Sequence, residues 1–240
     1  MGLCGCRAAA CWDNCQAGDE GGESGKQQAS HTSGAYAGWM IGVTVRAGIA
    51  KVFWAFSRWR LVREQHPVAG PRILIGAPHT SNFDFLLMLA IAWDARLRIH
   101  WLGKRELFRG IAGPVMRGLG GIPVDRSNAA GIVDAVVKRA GETDQFILVV
   151  TPEGTRKGAG WRSGFYRIAW ASGLPVTLGF ADGATKSAGL GETIHLTGDV
   201  VADMDRVRAF YRDKTGVRPE NRTEPRLTDE QGLTEFLRTQ

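Results

Sequence analysis

The chain has 240 residues, a formal net charge of +6 at pH 7 and ordinary proportions of hydrophobic and charged residues. This length suits one globular domain with a full core, and the charge favours anionic partners such as phosphorylated small molecules, acidic lipid headgroups or nucleic acid. All four cysteines (Cys4, Cys6, Cys11 and Cys15) precede residue 16. The rest of the chain therefore has no disulfide framework, cysteine nucleophile or cysteine-based zinc site.

The amino-terminal part divides into two segments. Residues 1–34 have almost no large apolar side chains, and a segment that cannot bury enough surface to offset its ordering entropy is predicted to be a disordered tail. Residues 35–66 combine tryptophans with basic residues, for example Trp59 between Arg58 and Arg60. Indole rings and cations suit the headgroup depth of a bilayer, so we interpret this segment as a membrane-associating helix at the interface. A helix packed on the following domain is the alternative.

Residues 67–240 alternate between strand and helix patterns and form the third predicted unit. Strands are expected over 73–77, 97–102, 121–124, 145–151, 175–180 and 194–197, and helices over 83–95, 106–119, 129–140, 163–171, 200–214 and 229–238. This order predicts an α/β fold, with a mainly parallel or mixed central sheet flanked by helices.

The pair His79 and Asp84 follows the first of these strands, and Ser81 is expected to begin the next helix. The carboxyl edge of an open α/β sheet is where ligands bind. A carboxylate bonded to one imidazole nitrogen would leave the other free as a general base. The same residues also fit a capping box, in which Ser81 caps the helix and Asp84 bonds back to its first turn. Backbone N–H groups near Ser81 are candidates for an oxyanion or phosphate site.

Three more polar clusters follow later strands. Lys104 follows the second, Arg126 the third, and the run Glu153-Gly154-Thr155-Arg156 the fourth. If the sheet is parallel, these clusters meet at the edge that carries His79, where Lys104, Arg126 and Arg156 would form a cationic rim suited to phosphate. Gly154 would let the backbone approach a ligand closely.

The motifs, in this order, resemble those of the glycerolipid acyltransferases typified by 1-acylglycerol-3-phosphate acyltransferase. Four of them match: His-x-x-x-x-Asp at residues 79–84, the block at 120–126 that ends in Arg126, Glu-Gly-Thr-Arg at 153–156, and a proline-bearing strand at 174–176. The segment at 104–107 is similar to that family's Lys-x-Glu-Leu, and 161–166 resembles a short bacterial branch. The spacing after Glu-Gly-Thr-Arg is shorter than usual, and Pro78 stands where Asn often precedes the histidine.

The resemblance implies an acyltransferase of phospholipid biosynthesis that acts at the cytoplasmic face of a membrane as a peripheral or monotopic protein. His79 and Asp84 would be catalytic. The substrate-binding residues would be Ser81, Lys104, Arg126, Glu153, Gly154, Thr155 and Arg156. The acyl donor would be acyl-CoA or acyl-carrier protein, the acceptor a lysophospholipid such as 1-acylglycerol 3-phosphate, and we expect neither a cofactor nor a metal ion.

Alternative functions keep part of this scheme. Another lysolipid or lipid-linked acceptor could replace lysophosphatidic acid, or the chain could be a non-catalytic peripheral protein that binds anionic lipid. Nucleic-acid binding is not expected, because the basic residues are scattered among the motifs and no recognised module is present. The remaining histidines lie outside any motif, and His100 and His195 are expected within strands.

Overall fold

The computed structural model of the protein describes residues 42–63, 70–124, 129–142, 145–156 and 160–239. The predicted tail 1–34 lies outside these ranges, as does part of the segment 35–66. The helices are α1 (residues 42–56), α2 (Phe83–Asp94), α3 (Ala112–Gly118), α4 (Ala129–Gly141), α5 (Gly164–Ser172), α6 (Val200–Tyr211) and α7 (Glu230–Arg238), with 3₁₀ turns at Arg105–Phe108 and Pro219–Asn221.

The described strands form one seven-stranded sheet with the order β1-β7-β6-β2-β5-β3-β4. Their bounds are β1 (Arg60–Val62), β2 (Arg72–Ala77), β3 (Ile99–Lys104), β4 (Gly121–Val124), β5 (Ile147–Val150), β6 (Val176–Asp182) and β7 (Ser187–Ile194). All neighbouring pairs are parallel except β6 and β7, which form an antiparallel hairpin. The predicted α/β fold with a mainly parallel or mixed sheet flanked by helices is confirmed.

The alternating side chains of β2 show how the two faces of the sheet are covered. Ile73 and Ile75 point into the larger core, which contains α5, α6 and α7, whereas Leu74 points into a core formed with α2. Both faces are buried, which is the expected arrangement for a largely parallel sheet.

One strand was not predicted and one was misplaced. The short strand β1 was not predicted, and of the expected strand 194–197 only Ile194 is in a strand, as the last residue of β7 (Ser187–Ile194). His195 therefore follows the strand and is exposed, whereas His100 lies within β3 as expected. The expected broken helix 106–119 is a 3₁₀ turn followed by α3, because Gly110 adopts a positive φ of 62° between them.

Helix α1 has one packed face and one exposed apolar face. Phe53 and Trp54 pack beside Leu87 of α2, and the Arg46 guanidinium donates to the Gly118 carbonyl oxygen over 3.1 Å. The opposite side carries exposed apolar side chains at Val45, Ile49, Val52 and Phe56, of which Phe56 is 81% exposed. Within the described ranges, no helix combines the length and apolar character needed to cross a bilayer.

Candidate active site

The loop from β2 to α2 carries the candidate site at the carboxyl edge of the sheet. Strand β2 lies between β5 and β6 and is parallel to both. The loops that follow β2 and β5 consequently meet at the same edge. His79 belongs to the first loop and Glu153 to the second, and the His79 backbone N–H donates a 2.9 Å hydrogen bond to Glu153 Oε1.

Asp84 lies in the first turn of α2, and one of its oxygens orders the histidine loop. Asp84 Oδ2 lies 3.2 Å from His79 Nδ1 and accepts hydrogen bonds of 2.7 Å from the backbone N–H groups of Thr80 and Ser81. The helix-capping interpretation and the catalytic interpretation therefore describe the same contacts. With the Nδ1 proton held by Asp84, Nε2 would be the ring nitrogen available to accept a proton.

These contacts correct the prediction that backbone N–H groups near Ser81 form an oxyanion or phosphate site. The N–H groups of Thr80 and Ser81 are used by Asp84, and the Phe83 N–H donates to Ser81 Oγ over 3.2 Å. A carboxylate at this position satisfies the amides that a bound anion would otherwise need. The contribution of Ser81 to a ligand would come from its side chain.

Glu153 is a buried carboxyl group, only 4% exposed, directly beneath the histidine loop. Burial raises its pKa, and the charge of Asp84 acts in the same direction, whereas the hydrogen bond from the His79 N–H opposes the shift. Glu153 Oε2 has no hydrogen-bond partner among the described residues. Glu153 thus positions the His79 backbone and is held in an environment that disfavours its charge.

An apolar cavity of about 90 Å³ opens beside His79 and Asp84. It lies between α2 and the sheet and is bounded by residues of both, among them Leu74, Phe85, Met88, Ile91, Ala92, Leu97, Ile99 and Leu190. From Asp84 to Ala92 the helix rises about 12 Å, at 1.5 Å per residue. The cavity therefore follows α2 away from the histidine and offers an apolar surface to an extended chain.

A polar cavity of about 330 Å³ lies on the other side of the same loop. Its walls are formed by Thr80, Ser81, Asn82, Thr155, Arg156, Arg218 and Asn221. Three of the predicted binding residues, Ser81, Thr155 and Arg156, meet here. Gly154, which directly precedes Thr155, has a φ of +66°, a backbone conformation that favours glycine.

One predicted cation, Lys104, is not brought into this arrangement. Lys104 is exposed at the end of β3 and lines neither of the two cavities. Arg126 lies outside the described residues. Of the two members of the predicted cationic rim that the structure describes, Arg156 lines the polar cavity and Lys104 does not.

The polar cavity also contains residues that sequence reasoning missed. Arg218 and Asn221 come from the segment after α6, and the Arg218 N–H bonds to Thr80 Oγ1 across 138 residues of sequence. Thr80 itself is only 1% exposed. No local pattern around Arg218 marks it as part of a site, because the contact depends on tertiary structure alone. Within the described ranges, no three His, Cys, Asp or Glu side chains lie close enough together to hold a metal ion.

The geometry agrees with two comparisons with known proteins. The family model described as Acyltransferase matches residues 60–186, more than half of the chain. The chain belongs to this acyltransferase family, and the family predicted from its motifs is thereby confirmed. A search of curated proteins found no match.

Among solved structures, the chain is similar to the 1-acyl-sn-glycerophosphate (LPA) acyltransferase PlsC from Thermotoga maritima. The sequences are 15% identical, the TM-score is 0.51, and the match covers 85% of this chain and 78% of the other. At this identity the likeness shows a common fold.

Proposed function

We propose that the protein transfers a fatty acyl group from a thioester, acyl-CoA or acyl-carrier protein, to the free hydroxyl of 1-acylglycerol 3-phosphate. One observation carries this proposal: His79, oriented by Asp84, lines an apolar cavity, and the residues that follow it in the same loop line a polar cavity with two arginines. An acyl chain and a phosphorylated headgroup need these two environments, one on each side of the reacting atoms. The motifs of the chain and the name of the Thermotoga maritima protein support the same acceptor.

In the proposed reaction, His79 acts as the general base. Its Nε2 takes the proton of the acceptor hydroxyl while the hydroxyl oxygen attacks the thioester carbonyl carbon. Asp84 holds the ring through Nδ1 and stabilises the imidazolium that forms. The carbon–sulfur bond then breaks, and the imidazolium returns the proton to the departing thiolate. The products are the new ester and the free thiol.

The two cavities would hold the substrates in place for this step. The acyl chain of the donor would lie along α2 in the apolar cavity, since only His79, Asp84 and Thr151 add polar or charged side chains to its wall. The acceptor headgroup would lie in the polar cavity beside Arg156. Bringing the hydroxyl and the thioester together in this way supplies much of the acceleration expected of such an enzyme.

The protein would act at the cytoplasmic surface of a membrane, in phospholipid biosynthesis. The exposed apolar face of α1 supports this location, because no described part of the chain covers Val45, Ile49, Val52 and Phe56. Such a face can lie in the headgroup region without spanning the bilayer. Acidic headgroups would attract the chain, which carries a formal net charge of +6.

Thiol release with defined donors and acceptors tests the proposal. We expect release from acyl-CoA or acyl-carrier protein to require lysophosphatidic acid and to be slower with lysophosphatidylcholine or monoacylglycerol. A preference for one of these other acceptors would indicate that the same chemistry serves a different lipid. No release with any pair would favour the non-catalytic anionic-lipid-binding alternative.

A further inference from the structure

The wall of the polar cavity is completed by a segment that lies outside the acyltransferase family match. That match ends at residue 186, whereas Arg218 and Asn221 line the cavity opposite the loop that begins with His79. Neither residue belongs to a motif of the sequence. Their presence in the cavity requires an explanation of its own.

Hydrogen bonds to Thr80 fix this segment against the loop that begins with His79. The Arg218 N–H donates to Thr80 Oγ1 over 3.0 Å, and Asn221 Nδ2 donates to the Thr80 carbonyl oxygen over 3.2 Å. Gly216 approaches so closely that a Cβ there would lie 2.7 Å from Thr80 Cγ2. The guanidinium of Arg222 ties the same turn to α6 by donating to the carbonyl oxygens of Tyr211 and Lys214. The backbone N–H of Arg218 therefore holds this residue at the cavity independently of its side chain.

Among the described residues, the arginines at this cavity have no acidic partner. Arg63, Arg206 and Arg208 each form an ion pair with a carboxylate. Within the part of the chain that the structure describes, the guanidinium groups of Arg156 and Arg218 have no such partner, and no aspartate or glutamate lines the cavity. Two guanidinium groups beside hydroxyl and amide donors favour a ligand with more than one negative charge and several acceptor oxygens.

The position of the cavity indicates which phosphate would bind. In a glycerol phosphate, the phosphorus is only a few bonds from the hydroxyl that is acylated, so a hydroxyl at His79 brings its phosphate into the adjacent cavity. In acyl-CoA, the phosphates are separated from the thioester by the whole pantetheine arm. A phosphate in a cavity lined by Thr80, the residue that follows His79, thus belongs to the acceptor.

We infer that Arg218, with Asn221 and Arg156, forms the binding site for the phosphomonoester of the acceptor lipid. This inference rests on the proposed acyl transfer and deepens it, since it assigns acceptor recognition to the carboxyl-terminal segment. A phosphomonoester offers two negative charges to the two arginines, whereas the diester of a lysophosphatidylcholine offers one and carries a bulky cation. The site therefore selects lysophosphatidic acid against diester lysolipids.

Kinetics of Arg218→Ala test the assignment directly. The substitution keeps the backbone N–H that bonds to Thr80, so the loop keeps its support while the guanidinium is lost. We expect kcat/KM for lysophosphatidic acid to fall roughly 10–100-fold, the loss expected for a charge-assisted hydrogen bond. KM for acyl-CoA and turnover of monoacylglycerol should stay unchanged. Arg218→Lys should retain part of the activity.

Arg226→Ala is the matched control. Its side chain is 66% exposed on the same carboxyl-terminal segment and lies outside both cavities, so lysophosphatidic acid kinetics should not change. A rise in KM for acyl-CoA in Arg218→Ala, with lysophosphatidic acid unaffected, would move the site to a phosphate of the donor and overturn the inference. Unchanged kinetics for both substrates would also overturn it.

Direct binding of glycerol 3-phosphate separates this inference from the proposed reaction, because it needs no turnover. Calorimetry should detect binding to the wild type, markedly weaker binding to Arg218→Ala and none of glycerol. If the wild type binds glycerol 3-phosphate but transfers no acyl group, the proposed function fails and the phosphate site stands. If it does not bind, the phosphate site is wrong even where acyl transfer occurs.

Discussion

At the scale of single residues, one oxygen of Asp84 connects the fold to the proposed chemistry. Asp84 Oδ2 contacts the His79 ring and two backbone N–H groups of the loop that follows it. The carboxylate is held by the amides, so it presents a fixed acceptor to Nδ1 instead of a mobile one. The loop begins α2 and orients the imidazole through the same group, so the capping interpretation and the proposed catalytic role rest on the same contacts.

Glu153 gives a prediction about pH. Burial raises the pKa of Glu153 in the folded protein above the ordinary value that it has in the unfolded chain. At a pH between the unfolded-state and folded-state pKa values, the folded protein therefore holds more protons than the unfolded chain. The free energy of unfolding consequently decreases as the pH rises through the raised pKa. Glu153→Gln keeps an acceptor oxygen for the His79 N–H and removes the charge. We expect it to melt at a higher temperature than the wild type at alkaline pH, and the difference to vanish in acid.

Thermal unfolding across the pH range measures this effect. About 1 kcal/mol corresponds to a shift of roughly 2–4 °C for a chain of this size. The control is Glu235→Gln on the exposed side of α7, which should follow the wild type at every pH. A Glu153→Gln variant that is less stable at every pH would show that the carboxylate stabilises the fold.

At the scale of elements, α2 forms one wall of the apolar cavity. Ala92 lines it two turns beyond Asp84, at the end distant from His79. Replacing Ala92 with leucine should shorten the space available to an acyl chain and shift the preference toward shorter donors. The measurement is kcat/KM for a series of acyl-CoA chain lengths.

Ala90→Leu is the matched control for this change. Ala90 is as buried as Ala92, each being 3% exposed, but it does not line the cavity. Overpacking costs about 1–3 kcal/mol at either position, so both variants should lose stability. An equal shift in the preferred acyl-chain length in both variants, or no shift in either, would argue against an acyl chain along α2.

The turn at Gly216 supports the loop from the other side. Gly216 has a φ of +75°, and an added Cβ would lie 2.7 Å from Thr80 Cγ2. Gly216→Ala should lower the free energy of unfolding by more than the roughly 1–2 kcal/mol expected for a left-handed backbone alone, and should reduce acyl transfer because Thr80 moves. Chemical denaturation and an activity assay measure the two effects.

Gly173→Ala isolates the effect of backbone strain in this experiment. Gly173 also has a positive φ of 64°, but no atom lies within 4 Å of the position of an added Cβ. That variant should be destabilised and retain its activity per folded molecule. Equal activity in both variants would mean that the carboxyl-terminal turn does not support the site.

At the scale of the whole molecule, the exposed apolar face of α1 gives the protein a side suited to a lipid surface. Ile49 is 50% exposed and Phe56 is 81% exposed. Replacing both with serine should weaken binding to vesicles of acidic phospholipid roughly 100-fold or more, since each buried side chain contributes about 1.5–3 kcal/mol. Cosedimentation measures the binding.

Phe236→Ser is the matched control for vesicle binding. Phe236 is an exposed aromatic of α7, 45% accessible, and its loss should leave vesicle binding unchanged. The α1 variant should also keep its turnover of substrates presented in detergent micelles. Undiminished vesicle binding by the α1 variant would exclude this face as the membrane contact.

The central strands could be predicted from the sequence, whereas β7 and β1, which form the edge beyond β6, could not. Strands such as β2 and β5 are apolar runs buried on both faces, which mark parallel strands clearly. Strand β7 instead contains Gly189 and Gly191, residues with low strand propensity. Both are required by close packing, since a Cβ at Gly189 would lie 2.2 Å from the Val62 carbonyl oxygen of β1. Such a contact exists only in the folded chain.

The same distinction applies to the site. His79, Asp84 and the run 153–156 could be identified because motifs follow strands whose ends meet at one edge of a parallel sheet. Ser81 and Arg156 line the polar cavity beside the loop that begins with His79, near where they were expected, whereas Lys104 lines neither cavity. Arg218 and Asn221 could not be predicted, because their contact with Thr80 joins residues far apart in the chain and has no local signature.

The most direct test of the central claim is thiol release from a long-chain acyl-CoA with lysophosphatidic acid, compared between the wild type and His79→Ala. Removal of the general base should lower kcat about 10²–10⁴-fold, with the thermal stability of the fold retained. His195→Ala, the same substitution at an exposed histidine beyond the end of β7, should behave as the wild type. Release by His79→Ala at the wild-type rate would contradict the proposed mechanism.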